Sequence, residues 1–212
     1  MRDSPENGRD ALGALKRLRP RATAVRNSYV RKTSIHHTYN RAIAIHGVHY
    51  LRAVNNVAFE TMGHTFFIED GVETKNVITH NLGANTRPSF ALLTVDQTPA
   101  TYWIVNPDNY VAHNVAAGSK HYGFWFFPEP KVRGASEFLP GSKDICPQGV
   151  PLWHFADNEA HNNGRYGLRI FTGRSPVRCS GPRPFDQIRK GPTRRPLGSR
   201  AAGRSCARAP PR

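Results

Sequence analysis

His64-Thr-Phe-Phe-Ile-Glu-Asp-Gly71 is the stretch whose reading decides the fold, because the same arrangement recurs along the chain. With Asn56 at position zero, Phe66 and Ile68 fall at positions ten and twelve. Thr33, Asn81, Asn114 and Asn158 open matching segments at intervals of 23, 25, 33 and 44 residues. Self-similarity at about 20–50 residues is the signature of repeat architectures. Position ten reads Ile43, Phe66, Ala91, Phe124 and Leu168, and position twelve reads Ile45, Ile68, Leu93, Phe126 and Ile170. Residues two apart share one face of a strand, so these columns point inward together. Position two is small or apolar throughout (Ile35, Ala58, Gly83, Ala116, Ala160). Position eleven is mixed (Ala44, Phe67, Leu92, Trp125, Arg169) and is expected to face outward. A unit of this size, with no helical stripe, cannot bury its own apolar face and must stack on the next. The pattern therefore predicts an all-β chain, a parallel β-helix of about five coils between residues 28 and 171.

Charge divides the chain the same way. The net +15 resides in the ends: +6 over residues 1–32, +10 over 172–212, and −1 over the repeats between them. Residues 1–27 read as a basic, disordered or short helical segment, and 172–212 as a disordered Arg/Pro/Gly-rich tail without apolar periodicity. Nucleic-acid binding by these ends would need a recognisable module beside them, and none is present. No apolar run approaches the roughly 18 residues of a membrane span, and no signal peptide is visible. Cys146, Cys179 and Cys206 form neither a disulfide framework nor a metal motif. Cys146 reads as buried or free, with a disulfide as the alternative. The widening intervals place insertions on the outside of the solenoid. One runs from Thr94 to Ala100 ahead of a strand at 101–105, and a longer one from Pro128 to Pro151.

Three constellations carry candidate chemistry. His64, Glu69 and Asp70 flank one strand, and an imidazole with two carboxylates suits general acid/base work on a glycosidic bond. Neighbouring carboxylates face opposite sides of a strand, so Glu69 and Asp70 can share a site only where the turn at Gly71 rotates one of them. The same carboxylates would suit calcium, although no metal motif or cofactor fingerprint is present. Phe67, Trp125 and Arg169 at position eleven form an outward ladder. It reads either as a platform for sugar rings or as a second small core beneath the insertions. The asparagines at position zero read as a structural stack at one corner, where Asn tolerates left-handed backbone.

The segment from about residue 28 to 171 resembles the β-helix region of the fibrocystin-L family, with fibrocystin, transmembrane protein 2 and the cell migration-inducing hyaluronan-binding protein. The resemblance rests on Ile35-His-His-Thr-Tyr-Asn-Arg-Ala42, Gly63-His64, Phe66-Phe-Ile-Glu-Asp-Gly71 and Asp96-Gln-Thr-Pro-Ala100. It continues through Trp103, Asn106-Pro107, Asn109, Ala116-Ala-Gly118, Gly123-Phe-Trp125 and Val150-Pro-Leu152. It implies a right-handed β-helix from the extracellular or cell-surface part of a larger protein, here a fragment without the family's G8-like region. The partner it implies is a glycan such as hyaluronan or another extracellular protein. The competing expectation is a polysaccharide-depolymerising enzyme that uses the turn carboxylates.

Overall fold

The computed structural model describes residues 28–91 and 93–170. The expectations for residues 1–27, 172–212 and Leu92 lie outside these. Fifteen short strands form three parallel sheets, and each coil contributes one strand to each sheet. The first sheet holds β1 (Tyr29–Arg31), β4 (Arg52–Val54), β7 (Val77–Thr79), β10 (Tyr110–Ala112) and β13 (His154–Ala156). The second holds β2 (Ser34–Thr38), β5 (Val57–Thr61), β8 (Leu82–Ala84), β11 (Val115–Ala117) and β14 (Glu159–His161). The third holds β3 (Ile43–Ile45), β6 (Phe66–Ile68), β9 (Ala100–Ile104), β12 (Tyr122–Phe126) and β15 (Tyr166–Ile170). The result is a right-handed parallel β-helix of five coils.

Register confirms position two: Ile35, Ala58, Gly83, Ala116 and Ala160 pair in succession. Four of these five residues are Gly or Ala, and at Gly83 the reason is a close opposite wall. A Cβ on Gly83 would lie 2.2 Å from Thr101 Cγ2. Positions ten and twelve are also confirmed in four coils, but the third coil differs. Phe66 pairs with Tyr102 and Ile68 with Ile104, not with Ala91 and Leu93. Leu93 is exposed. The insertion thus precedes the third-sheet strand of this coil, and Ala91 and Leu93, which mimic a rung in sequence, lie outside any strand. The inner stack runs Phe66, Tyr102, Phe124, with ring centroids 4.7 and 4.6 Å apart and nearly parallel planes. The Tyr102 hydroxyl, wholly buried, donates to the Asn81 carbonyl at 2.9 Å, so the polar tip is satisfied inside. Each fully buried aliphatic or aromatic side chain in this stack contributes about 1.5–3 kcal/mol.

The asparagine corner is a continuous hydrogen-bonded ladder. The Asn56 N–H and Nδ2 both donate to Asn81 Oδ1, at 3.0 and 2.9 Å. Asn81 does the same to Asn114, and Asn114 to Asn158. Each ladder amide also donates to a carbonyl of a neighbouring coil. The left-handed backbone expected at these asparagines falls one residue earlier, on Lys32, Asn55, His80, His113 and Asp157, with φ between 52 and 56°. The asparagine itself stays free to cap the turn. A second ladder, Leu51 to Asn76 to Asn109, closes the preceding corner.

Candidate functional site

The loops decide what becomes of the outward column. In register it reads Ala44, Phe67, Trp103, Trp125 and Arg169. Phe67, Trp103 and Trp125 are buried, with Ala100, Val105 and Tyr122, in a second apolar cluster outside the third sheet. Of the two readings of this column, the second small core beneath the insertions is the one seen, and Phe67 and Trp125 do not form an open platform. Arg169 closes the end of this column, its guanidinium 4.1 Å from the Trp125 ring centroid. The cover comes from the turn Thr94–Gln97 and from the long loop, which holds three 3-10 turns at Gly134–Phe138, Ser142–Asp144 and Pro147–Gly149. Cys146, in this loop, is disulfide-bonded rather than free.

The cover is incomplete. A cavity of about 270 Å³ opens between the two loops. Phe67, Trp103 and Phe127 line it together with Leu93 and Val95, and Glu69, Glu129 and Arg133 supply its polar groups. Arg133 Nη2 meets Glu129 Oε2 at 3.0 Å. Burial raises the pKa of both glutamates above the ordinary carboxylate range. For Glu69 the nearby His46 and Arg41 oppose the rise, and for Glu129 Arg133 does. The indole N–H of Trp103 is buried and has no hydrogen-bond partner among the described residues.

The structure places His64, Glu69 and Asp70 in different surroundings. His64 is fully buried, stacked on Phe67 at 5.3 Å and accepting the Ala100 N–H at Nδ1, 2.9 Å away. Burial first, then the Arg41 cation, drives its pKa down to about 3, so it is neutral at physiological pH. Arg41 lies over the same Phe67 ring, 3.9 Å from its centroid, and grips both oxygens of buried Asp96, whose Oδ1 lies 3.7 Å from His64 Nε2. Glu69 faces the cavity. Asp70 is buried beneath the long loop, accepting from Ser136 Oγ at 2.6 Å, while its carbonyl accepts the Arg133 N–H at 2.8 Å. The imidazole that reaches both carboxylates is His46: its Nδ1 lies 3.1 Å from Asp70 Oδ1 and 3.7 Å from Glu69 Oε2. The strand ends at Ile68, so Glu69 and Asp70 lie in the turn before Gly71, outside strand alternation, and both reach His46. Nearby Glu73 is buried and accepts the N–H groups of Gly47 and Gly71, each at 2.8 Å; burial still raises its pKa to about 7.

Sequence reasoning missed His46, Trp103, Glu129 and Arg133. His46 was findable, since it precedes Glu69 by 23 residues, the same offset that pairs Ile45 with Ile68. Trp103 was hidden by the shifted rung. Glu129 and Arg133 sit in an aperiodic loop and carry no positional signal.

Comparison with known proteins agrees with this architecture. The family model of the CEMIP beta-helix matches residues 17–168. Mouse (Mus musculus) fibrocystin-L is 40% identical over 144 residues, covering 68% of this chain and 3% of that protein. The human (Homo sapiens) cell surface hyaluronidase CEMIP2 is 33% identical over 158 residues, 62% of this chain and 11% of the relative. The mouse cell migration-inducing and hyaluronan-binding protein is 33% identical over 189 residues, 76% and 14% respectively. The chain thus spans a small part of the length of each. Among the described residues no helix is long and apolar enough to cross a membrane.

Proposed function

Because the chain belongs to the CEMIP β-helix family, we propose that it is an extracellular or cell-surface carbohydrate-binding unit whose ligand seat is the cavity between its two loops. One observation carries this reading: an aromatic floor of Phe67, Trp103 and Phe127 is joined in one cavity by Glu69, Glu129 and Arg133. Apolar walls with a few convergent polar groups are the usual form of a small-ligand site, and the volume approaches the lower end of such pockets, about 300 Å³. A sugar ring presents C–H faces to the aromatics and hydroxyls to the carboxylates. Arg133 adds a cation for the carboxylate of an acidic sugar. The names of two relatives, a hyaluronidase and a hyaluronan-binding protein, make hyaluronan the first ligand to try. Protein partners are the other class to test.

Titration of hyaluronan oligosaccharides, read by tryptophan fluorescence and calorimetry, tests the proposal. Arg133→Ala should weaken binding about tenfold, which corresponds to about 1.4 kcal/mol. Equal affinity in wild type and variant would remove the cavity from consideration.

A second reading, depolymerisation, has its own observation: two glutamates in one cavity, both held toward their protonated forms by burial. Glycosidases use such a pair, one as acid and one as base or nucleophile. Here Glu129 replaces Asp70 as the partner of Glu69, because Asp70 is committed to Ser136 and His46. His64, neutral and buried, positions the Phe67 floor. Size analysis of hyaluronan after incubation decides between the readings. Chain shortening that disappears in both Glu69→Gln and Glu129→Gln would favour catalysis.

A further inference from the structure

We propose that His46, Glu69 and Asp70 bind a first-row divalent cation, zinc in particular, behind the wall of the cavity. The donor atoms of the three side chains all lie within 4.8 Å of one another. Ligand atoms around a tetrahedral ion with bonds of about 2.0–2.2 Å stand about 3.3 Å apart. His46 Nδ1 and Asp70 Oδ1, at 3.1 Å, already meet that spacing, and Glu69 Oε2 at 3.7 Å needs a small closure. The three donors occupy the same corner of adjacent coils, so the rigid sheet holds them at this separation.

Charge supplies an independent reason. A buried carboxylate is normally paired with a cation or a metal. Asp96 has Arg41 and Glu129 has Arg133. Asp70, equally buried, meets no Lys or Arg among the described residues, and its partners are the Ser136 hydroxyl and His46. Glu69 and Glu73 place two further carboxyl groups beside it. The Ser136 hydrogen bond leaves Oδ1 directed at His46 and fixes Oδ2, which is how outer-shell donors orient metal carboxylates. His46 is half-exposed, so the position is reachable from solvent, and water completes the coordination. One imidazole with two carboxylates favours zinc over calcium, which takes six to eight oxygens. Since Asp70 also anchors the long loop through Ser136 and the Arg133 N–H, the ion would clamp that loop to the coil.

The proposed site shares Glu69 with the cavity, but its test contains no saccharide, so its failure and that of glycan binding are distinguishable. The full chain, stripped with chelator, is titrated with zinc chloride by calorimetry, and thermal melting is followed with and without the ion. One zinc per chain at micromolar affinity or tighter is expected, with a rise in Tm. His46→Gln, at a half-exposed position, should weaken binding at least about tenfold while the far-ultraviolet circular dichroism stays unchanged. The His80→Gln/His113→Gln double variant, on a different corner, should bind as wild type does. Cobalt(II) replacing zinc should give visible absorption bands that His46→Gln abolishes. Binding of wild type weaker than about 100 µM, or wild-type affinity in folded His46→Gln, would overturn the proposal.

Discussion

The inner stack and the outer cluster lie back to back on the same five strands, yet they obey different rules. Inside, Phe66, Tyr102, Phe124 and their neighbours recur once per coil and meet only their own kind. Outside, Phe67, Trp103 and Trp125 occupy an equally regular column but are buried by loops that recur nowhere else. Periodic burial builds the solenoid. Aperiodic burial builds the site, because loops that differ between coils leave a cavity of defined shape over a repeating floor.

If the inner stack carries the global fold, its members should be the costliest to remove. Phe124→Ala deletes the last of three stacked rings, itself fully buried, and should destabilise the chain by about 4 kcal/mol, near the centre of the range for buried aromatics. Chemical denaturation measures this. A loss below about 1 kcal/mol would mean that the rings contribute less than their burial implies.

The asparagine corner should come next. Asn81→Ala removes the acceptor of the Asn56 N–H and one donor to the Ala53 carbonyl, both buried. Two orphaned groups at about 1–3 kcal/mol each suggest a loss of about 3 kcal/mol. Asn81→Asp, which sets a buried carboxylate against the Ala53 carbonyl and Asn114 Oδ1, should cost at least as much as Asn81→Ala.

His64 separates the outer cluster from the inner one by pH. Its folded pKa of about 3 lies below the ordinary 6.5, so the unfolded chain binds the extra proton between those values. This group's share of stability is complete above about pH 6.5 and is lost as pH falls toward 3. Glu73 acts oppositely: its raised pKa of about 7 makes acidification from 7 toward 4.5 favour the folded state. A difference measurement isolates His64. Relative to wild type, His64→Phe should be less stable at neutral pH, because the Ala100 N–H loses its acceptor. It should also decline less between pH 6.5 and 3. Parallel stability curves for the two proteins would show that His64 is not the group that titrates.

The fold was legible because its rule is local and repeated. Column two holds Gly83 where the opposite wall is close, and columns ten and twelve are apolar since coils stack. The third rung was misassigned because Ala91–Leu93 satisfies the same local rule, and only pairing with Phe66 distinguishes Tyr102 from it. The site was half legible. Glu69 and Phe67 lie on the repeating floor, whereas Glu129, Arg133 and the buried state of Trp125 depend on where a 24-residue loop folds back, from Pro128 to Pro151. No periodicity encodes that return.

The smallest effect should come from the last position of the inner column among the described residues. Leu168 pairs with Phe124 and belongs to the same register, but it is 45% exposed, whereas Phe124 is buried between two coils. The contribution of a column position depends on having neighbours on both sides, not on its residue type, so Leu168→Ala should cost under about 1 kcal/mol against the 2–5 kcal/mol typical of a buried leucine. Denaturation midpoints of Leu168→Ala and Phe124→Ala, measured together, give the ratio. A loss at Leu168 near 3 kcal/mol would mean that something packs on the last coil, and would move the end of the cooperative unit beyond β15.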